Sequence, residues 1–470
     1  MASKEWLPPN FYKEYIAEAK LHREKVIENL AFKEGAAAAR ILDFGSVYLK
    51  GNPSRLRKWS DVEEIFRQES FFYYITGCEE PDCHVVLNIA TRECHLFIPK
   101  READFGLWNG TPPTPVQAKA TYDVEYCHYD DELVNVLSSI DGPVNVMDGE
   151  DIKLLGVAAD RAESKHLRTA MSEARLIKSA FEIDMMRTAA QISGHAHIAV
   201  MKLMKSLKPG VDTEVQAHAL FEYECFKKGC HHQAYGSICA SGCDAATLHY
   251  VRNDKVLSTD PGTFLLIDSG CEFHTYASDI TRTYPIGGKF SATEEGTIVY
   301  NIVLAAQKAV LAVIKSGINW EDMHRLANRV ICEGLQKTGV LKGSVDELID
   351  HFIPALFFPH GQEVHDVGGY PKGTERIDEP GIRYLRMRRK LVAGMVLTVE
   401  PGLYFIDDLL EPALKNPETA KYFDVETLER FRRVGGVRIE DDVVITQDGY
   451  DSLSCWIPKE IADIEFVMAT

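Results

Sequence analysis

Acidic residues stand where short apolar strands end, and this placement constrains the chain more than any other feature. In TFLLIDSGCEFHTYASDITRTYP, Asp268 closes one apolar strand and Asp279 lies in the next. MVLTVEPG runs into Glu400 before Pro401 ends the strand, and VGGVRIEDDVVIT puts Arg438 and Glu440 on one strand face. A tight reversal at His274-Thr275 predicts that Asp268 pairs with Thr281 and Asp279 with Gly270. Residues two apart on a strand share a face, so both Asp side chains point the same way, with Cα atoms roughly 7–8 Å apart. Gly270 has no side chain to fill the space between them, and Thr281 can hydrogen-bond one of them. Two such carboxylates on an apolar face repel and need a cation or a shared proton. Taken singly, each of the four acids would more often be a strand-end cap or a surface acid. Taken together, they would suit a pair of divalent ions about 3.5–4 Å apart, which lower the pKa of a shared water and polarise a carbonyl, as amide hydrolysis requires. An oxygen-rich donor set favours hard or borderline metals such as Mn2+ over soft-ligand zinc.

The periodicity around these acids predicts an α+β chain. Phe11, Tyr15, Ile16 and Ala19 recur at helical spacing near the N-terminus. Runs rich in Val, Ile, Leu and Phe at Ala39–Leu49 and Cys83–Pro99 read as strands, and a Pro-rich loop at Gly110–Pro115 separates units. A helical period resumes around Arg175–Met186 and continues through Ser193–Leu207 until Pro209-Gly210 stops it. A domain boundary is therefore expected near residue 170, giving domains 1–170 and 171–470. Beyond it, long helices (Thr293–Ile314, Trp320–Gly339) alternate with short apolar strands at Phe264–Ile267, Ser278–Tyr284, Met395–Val399 and Val437–Ile445.

Composition narrows the function classes. The formal net charge is −18, from 52 Lys and Arg against 70 Asp and Glu, which disfavours binding to nucleic acid or an anionic membrane surface. No apolar run reaches the eighteen or so residues of a membrane span, and MASKEWLPPNFYKEYIAEAK has no apolar core of a secretory signal. The eleven cysteines are irregularly spaced with no C-x-x-C pair, so reduced thiols in a cytoplasmic protein are expected rather than a disulfide framework.

ATLHYVRND, LLIDSG, ASDITRTYP, PHG, VHDVGGY, GMVLTVEPGLYF and VRIEDDVVIT, in this order and at this spacing, resemble the pita-bread metallopeptidases, specifically the prolidase and aminopeptidase P branch. FFYYITGCEEPD, LFIPKRE and RLIKSAFEIDMMR extend the resemblance over most of the chain. It implies a creatinase-like N-terminal domain followed by a pita-bread catalytic domain with a dinuclear metal centre. The family's ligand positions fall on Asp268, Asp279, Glu400 and Glu440, with Asp279 and Glu440 bridging two Mn2+ ions. His249 matches a histidine that contacts substrate, and His365 one that stabilises the tetrahedral intermediate. Tyr235 and Arg438 match residues beside the metals. Arg386 matches the prolidase arginine that grips the substrate carboxylate, a task suited to a forked guanidinium.

One departure stands out. In the family, PHG is followed by leucine, a small residue and a fifth-ligand histidine before VHDVGG, whereas here FFPHGQEVHDVGGY runs directly from His360 and Gly361 through Gln362 and Glu363 to His365. Either the deletion is genuine and alters the metal site, with His360 or Glu363 shifting into the place, or the segment was lost in deriving the reading frame. The intact surrounding motifs favour the second explanation. The function expected is a manganese-dependent aminopeptidase P, hydrolysing the bond between an N-terminal residue and a penultimate proline. Prolidase, acting on Xaa-Pro dipeptides, is the first alternative; a catalytically impaired pita-bread binding protein is the second. The resemblance further implies a homodimer.

Overall fold

Alternation along three strands organises the N-terminal part of the molecule. The computed structural model describes residues 11–31, 44–358, 369–371 and 373–470. Strands β1 (Ser46–Lys50), β2 (His84–Asn88) and β3 (Cys94–Ile98) pair antiparallel, while β4 (Tyr126–Tyr129), β5 (Val144–Asn145) and β6 (Ala162–Glu163) join in parallel, in the order β4-β3-β2-β1-β5-β6. Val47, Leu49, Val85, Leu87, Leu96 and Ile98 face a core built with the helices Phe11–Ala31, Ser70–Thr76 and Leu167–Leu176. Their neighbours Tyr48, Val86 and Phe97 face the opposite core with Leu133, Leu137 and Leu155. This period of two follows from the pleat, and each fully buried apolar side chain contributes about 1.5–3 kcal/mol.

The run Cys83–Pro99 is a hairpin rather than one strand, because Asn88 turns the chain. Its side chain accepts from the backbone N–H groups of Ala90 and Thr91, and Arg92 takes a positive φ of 65°. Ala39 to Asp43 lie outside the described residues. The Pro-rich loop ends in a helix start: Thr114 caps the helix Pro115–Tyr122, with proline at its first position.

By compactness the chain divides after Leu176, and the second unit begins at Ile177. Ser179 opens a new helix, Ala180–Leu203, through a capping box with Glu182. The helical period expected from Arg175 onward is therefore two helices, and the second stops before Leu207. Helices Glu294–Leu311 and Trp320–Lys337 stand where expected, each shorter by a turn or less at its C-terminal end.

Short strands precede and follow these two helices along the chain. Strands β7 (His232–Gln233), β8 (Ile238–Ser241), β9 (Phe264–Asp268), β10 (Cys271–Phe273), β11 (Tyr276–Ala277) and β12 (Thr281–Pro285) form two three-stranded sheets, β11-β10-β7 and β12-β9-β8. Strands β13 (Val396–Val399), β14 (Gly402–Tyr404), β15 (Gly436–Arg438), β16 (Asp441–Ile445) and β17 (Tyr450–Ser452) form the sheets β13-β16-β17 and β14-β15. The expected strand Ser278–Tyr284 begins only at Thr281, with Asp279 in the gap after β11, and the expected strand Val437–Ile445 is interrupted at Ile439-Glu440. Pro401 has no N–H to give to a ladder and separates β13 from β14. Each gap falls at one of the acids singled out in the sequence.

Candidate metal centre

The β10–β11 reversal runs through His274 and Thr275, both with positive φ (47° and 65°), as a two-residue hairpin of type I′ requires. From that turn the register carries back to Asp268 opposite Thr281, the pairing expected from sequence. Gly270 serves a different purpose from the one expected. A Cβ there would lie 1.9 Å from the carbonyl oxygen of Ser278, so glycine permits backbone approach rather than space between carboxylates.

The sheet breaks turn the acids inward. Glu440, in the gap between β15 and β16, donates its backbone N–H to the Thr281 carbonyl at 3.1 Å, which ties the β14-β15 region to β12. The Asp279 N–H donates to the Asp442 carboxylate at 3.1 and 3.3 Å. Asp268, Asp279 and Glu440 are buried, and each offers a carboxylate oxygen within 4.8 Å of the others. Glu400 lines the same cavity but stands outside that set of three; Thr398 Oγ1 donates to its Oε1 at 2.6 Å.

One guanidinium serves this acidic floor directly. Arg438 donates to Asp268 Oδ2, to Thr281 Oγ1 at 3.0 Å and to Tyr404 at 2.8 Å. Thr281 Oγ1 in turn donates to Glu440 Oε2 at 2.6 Å, and the Tyr235 hydroxyl donates to Asp268 Oδ1 at 2.5 Å. Burial disfavours the charge on Arg438, but Tyr404, Asp268, Glu440 and Glu400 outweigh it and hold the guanidinium firmly protonated. Burial, and then Asp279, Glu400 and Asp268, push the Glu440 carboxyl well above its ordinary range. Two carboxylates 4 Å apart repel by about 4 kcal/mol at an effective dielectric of 20, so a group of four favours added positive charge.

The donor set fits divalent cations. Glu440 Oε1 is buried without a hydrogen-bond partner among the described residues, and an oxygen-only cluster suits hard or borderline metals. Asp268, Asp279 and Glu440 could hold such an ion, with Glu400 beside them.

The cavity above the acids has a volume of about 590 Å3 and is lined by His249, Tyr235, Arg386, Arg438 and the four acids. Eight of the nine site residues expected from sequence therefore come together. The ninth, His365, lies outside the described residues, as do His360, Gln362 and Glu363. Sequence reasoning missed Arg376 and Tyr384, which also line the cavity, and Tyr404, which reaches Arg438 across Gly402. A Cβ on Gly402 would sit 2.3 Å from the Tyr404 hydroxyl. Register was the available signal, since Gly402 pairs with Arg438 and Tyr404 stands two residues on, on the same face.

Comparison with known proteins agrees with this geometry. Residues 184–447 match the model of metallopeptidase family M24, and residues 20–145 match the aminopeptidase P N-terminal domain. The chain is 38% identical to the Xaa-Pro dipeptidase of Homo sapiens, over 99% of this chain and 96% of that protein. It is 39% identical to a probable Xaa-Pro aminopeptidase of Pyricularia oryzae, over 96% and 97% of the two chains. The solved aminopeptidase PepP of Pseudomonas aeruginosa superposes with a TM-score of 0.80 at 31% identity, covering 97% of this chain and 98% of that one. The α+β fold is accordingly an aminopeptidase P-type N-terminal domain followed by a pita-bread domain. Among the described residues, no helix is long and apolar enough to cross a membrane.

Proposed function

The chain belongs to metallopeptidase family M24, in its prolidase and aminopeptidase P branch, and from that premise we propose that it is an Xaa-Pro aminopeptidase. As a proline-specific hydrolase, it would release the N-terminal residue of peptides with proline at position two. The observation that carries the reading is the buried triad of Asp268, Asp279 and Glu440 at the floor of a cavity large enough for a short peptide.

Asp268, Asp279, Glu400 and Glu440 would hold two divalent ions, manganese in our reading because these four side chains offer only oxygen. When bound, such ions supply Lewis acidity toward the scissile carbonyl and acidify water. The chain's own side chains do the rest. Arg438 and the Tyr235 hydroxyl fix Asp268 from two sides, and Thr281 fixes Glu440. His249, in the cavity wall, would orient the substrate. The apolar wall of Ile238, Leu248 and Val251 suits a pyrrolidine ring, and His365 would stabilise developing charge. Buried thiols such as Cys239 and Cys271 suit a reducing compartment, here the cytoplasm; a homodimer completes the proposal.

A second reading, prolidase, is favoured by Arg386 in the cavity wall, where a guanidinium could clamp the free carboxylate of a dipeptide. The test is to incubate the protein and Mn2+ with Xaa-Pro and Xaa-Pro-Yaa-Zaa peptides. Cleavage of the tetrapeptide supports aminopeptidase P; cleavage of the dipeptide alone replaces it with prolidase, and cleavage of neither removes both.

A further inference from the structure

The segment that carries His249 is tied down from behind by one buried carboxylate. Glu214 opens the helix Glu214–Phe226 and has no exposed surface. Its Oε1 accepts from the backbone N–H and the hydroxyl of Ser241, both at 2.7 Å. Its Oε2 accepts from the Tyr250 hydroxyl at 2.9 Å and the Lys255 N–H at 3.1 Å. Asn253 adds a second tie, accepting from Cys239 N–H at 2.7 Å and donating to the Ser237 carbonyl at 2.8 Å.

A buried carboxylate is costly unless its lone pairs are filled, and here four donors fill them. The direction of those bonds matters more than their number. Ser241 ends β8, which pairs with β9, so that Ile238 stands opposite Asp268 and Ser241 opposite Leu265. Tyr250 directly follows His249, and Leu248, His249 and Val251 line the cavity. Glu214 therefore joins the strand beside Asp268 to the segment that bears His249. Glutamine could not replace it: one oxygen would become an NH2 group facing the Lys255 N–H, donor against donor.

We propose that Glu214 is a positioning residue that sets where His249 stands relative to the acidic floor. The inference rests on the reading of His249 as a substrate-contacting residue. The test is a double-mutant cycle of Glu214→Gln and His249→Ala, with kcat and KM on a proline-containing peptide, metal content per chain and thermal unfolding measured for each protein. Glu214→Gln is expected to lower kcat/KM about 10–100-fold, the usual cost of losing a supporting residue, with metal content unchanged. In the His249→Ala background it should cost less than about 2-fold, since its effect passes through the missing side chain. Tyr250→Phe, which cuts a single bond, repeats the cycle with a smaller loss if Glu214→Gln does not fold. Equal losses in both backgrounds, or a loss that tracks metal content, overturn the positioning role and leave the role of His249 standing. Wild-type kcat/KM in His249→Ala overturns the reading of His249, and the proposal with it.

Discussion

The Thr281 hydroxyl donates to Glu440 Oε2 at 2.6 Å. Thr281 Oγ1 itself accepts from Arg438 Nε at 3.0 Å, so one small side chain serves both the carboxylate of Glu440 and the guanidinium of Arg438. Thr281→Val keeps the shape and removes both bonds. A buried group left without a partner costs about 1–3 kcal/mol, and a lost supporting contact lowers metal affinity about 10–100-fold. Calorimetric titration with Mn2+ and thermal unfolding measure the two effects. An unchanged affinity would mean that Thr281 does not hold Glu440 in place.

Asp441 points away from the cavity into a second polar cluster. It accepts from Arg282 at 2.8 Å, Lys459 at 2.6 Å, Ser454 at 2.8 Å and Gln307 at 3.0 Å, and both Arg282 and Asp441 are fully buried. Burial alone would raise its carboxyl, but Arg282 and Lys459 hold it far below the usual carboxylate range. Asp441→Asn leaves a buried arginine without its counter-charge and is expected to cost about 3–5 kcal/mol. Chemical denaturation checks it; a loss below ~1 kcal/mol would contradict the role given to the pair.

Buried His84 is expected to make the N-terminal unit acid-sensitive. Its Nδ1 lies 2.9 Å from the Tyr48 hydroxyl. Burial, and then Lys50, lower its pKa to about 4. An unfolded histidine titrates near 6.5, so between these values the unfolded chain takes up a proton that the folded chain refuses. Stability should therefore fall as pH drops from about 6.5 to about 4, by up to ~3 kcal/mol from this group. Thermal unfolding between pH 7 and pH 5 should show a shallower decline for His84→Gln than for wild type. Parallel declines would remove His84 as the cause.

Arg386 separates the two substrate readings. If it clamps a dipeptide carboxylate, Arg386→Ala should raise KM for an Xaa-Pro dipeptide roughly 10–100-fold, the worth of a charge-assisted hydrogen bond. An Xaa-Pro-Yaa-Zaa peptide, whose carboxylate lies further out, should change about 3-fold or less, within the context-dependence of a single contact. Equal changes for both peptides would show that Arg386 does not read the carboxylate.

How far the sequence foretold this site depends on distance along the chain. The pairing of Asp268 with Thr281 was open to arithmetic, because a two-residue turn fixes every partner up to the break. The gap at Asp279 and the interruption at Ile439-Glu440 were not. Both stretches are apolar enough to read as continuous strands, and only pairing with a partner that also breaks, as at Pro401, parts them. Arg376 and Tyr384 reach the cavity from a segment without strand or helix periodicity, so no pattern marked them. Glu214 reads in sequence as one more acid in the first turn of a capped helix; only the fold brings Ser241, Tyr250 and Lys255 to its oxygens. Arg438 and Glu440 do share the cavity, as their spacing implied, although a strand break falls between them.

Asp268, Asp279 and Glu440 gather where divalent cations would bind. Metal content after dialysis against Mn2+, measured for the wild type and for Glu440→Gln, tests this binding most directly. The account predicts about two ions per wild-type chain and a clear deficit in the variant at the same protein concentration. Equal metal content in the two proteins, or none in either, would contradict it.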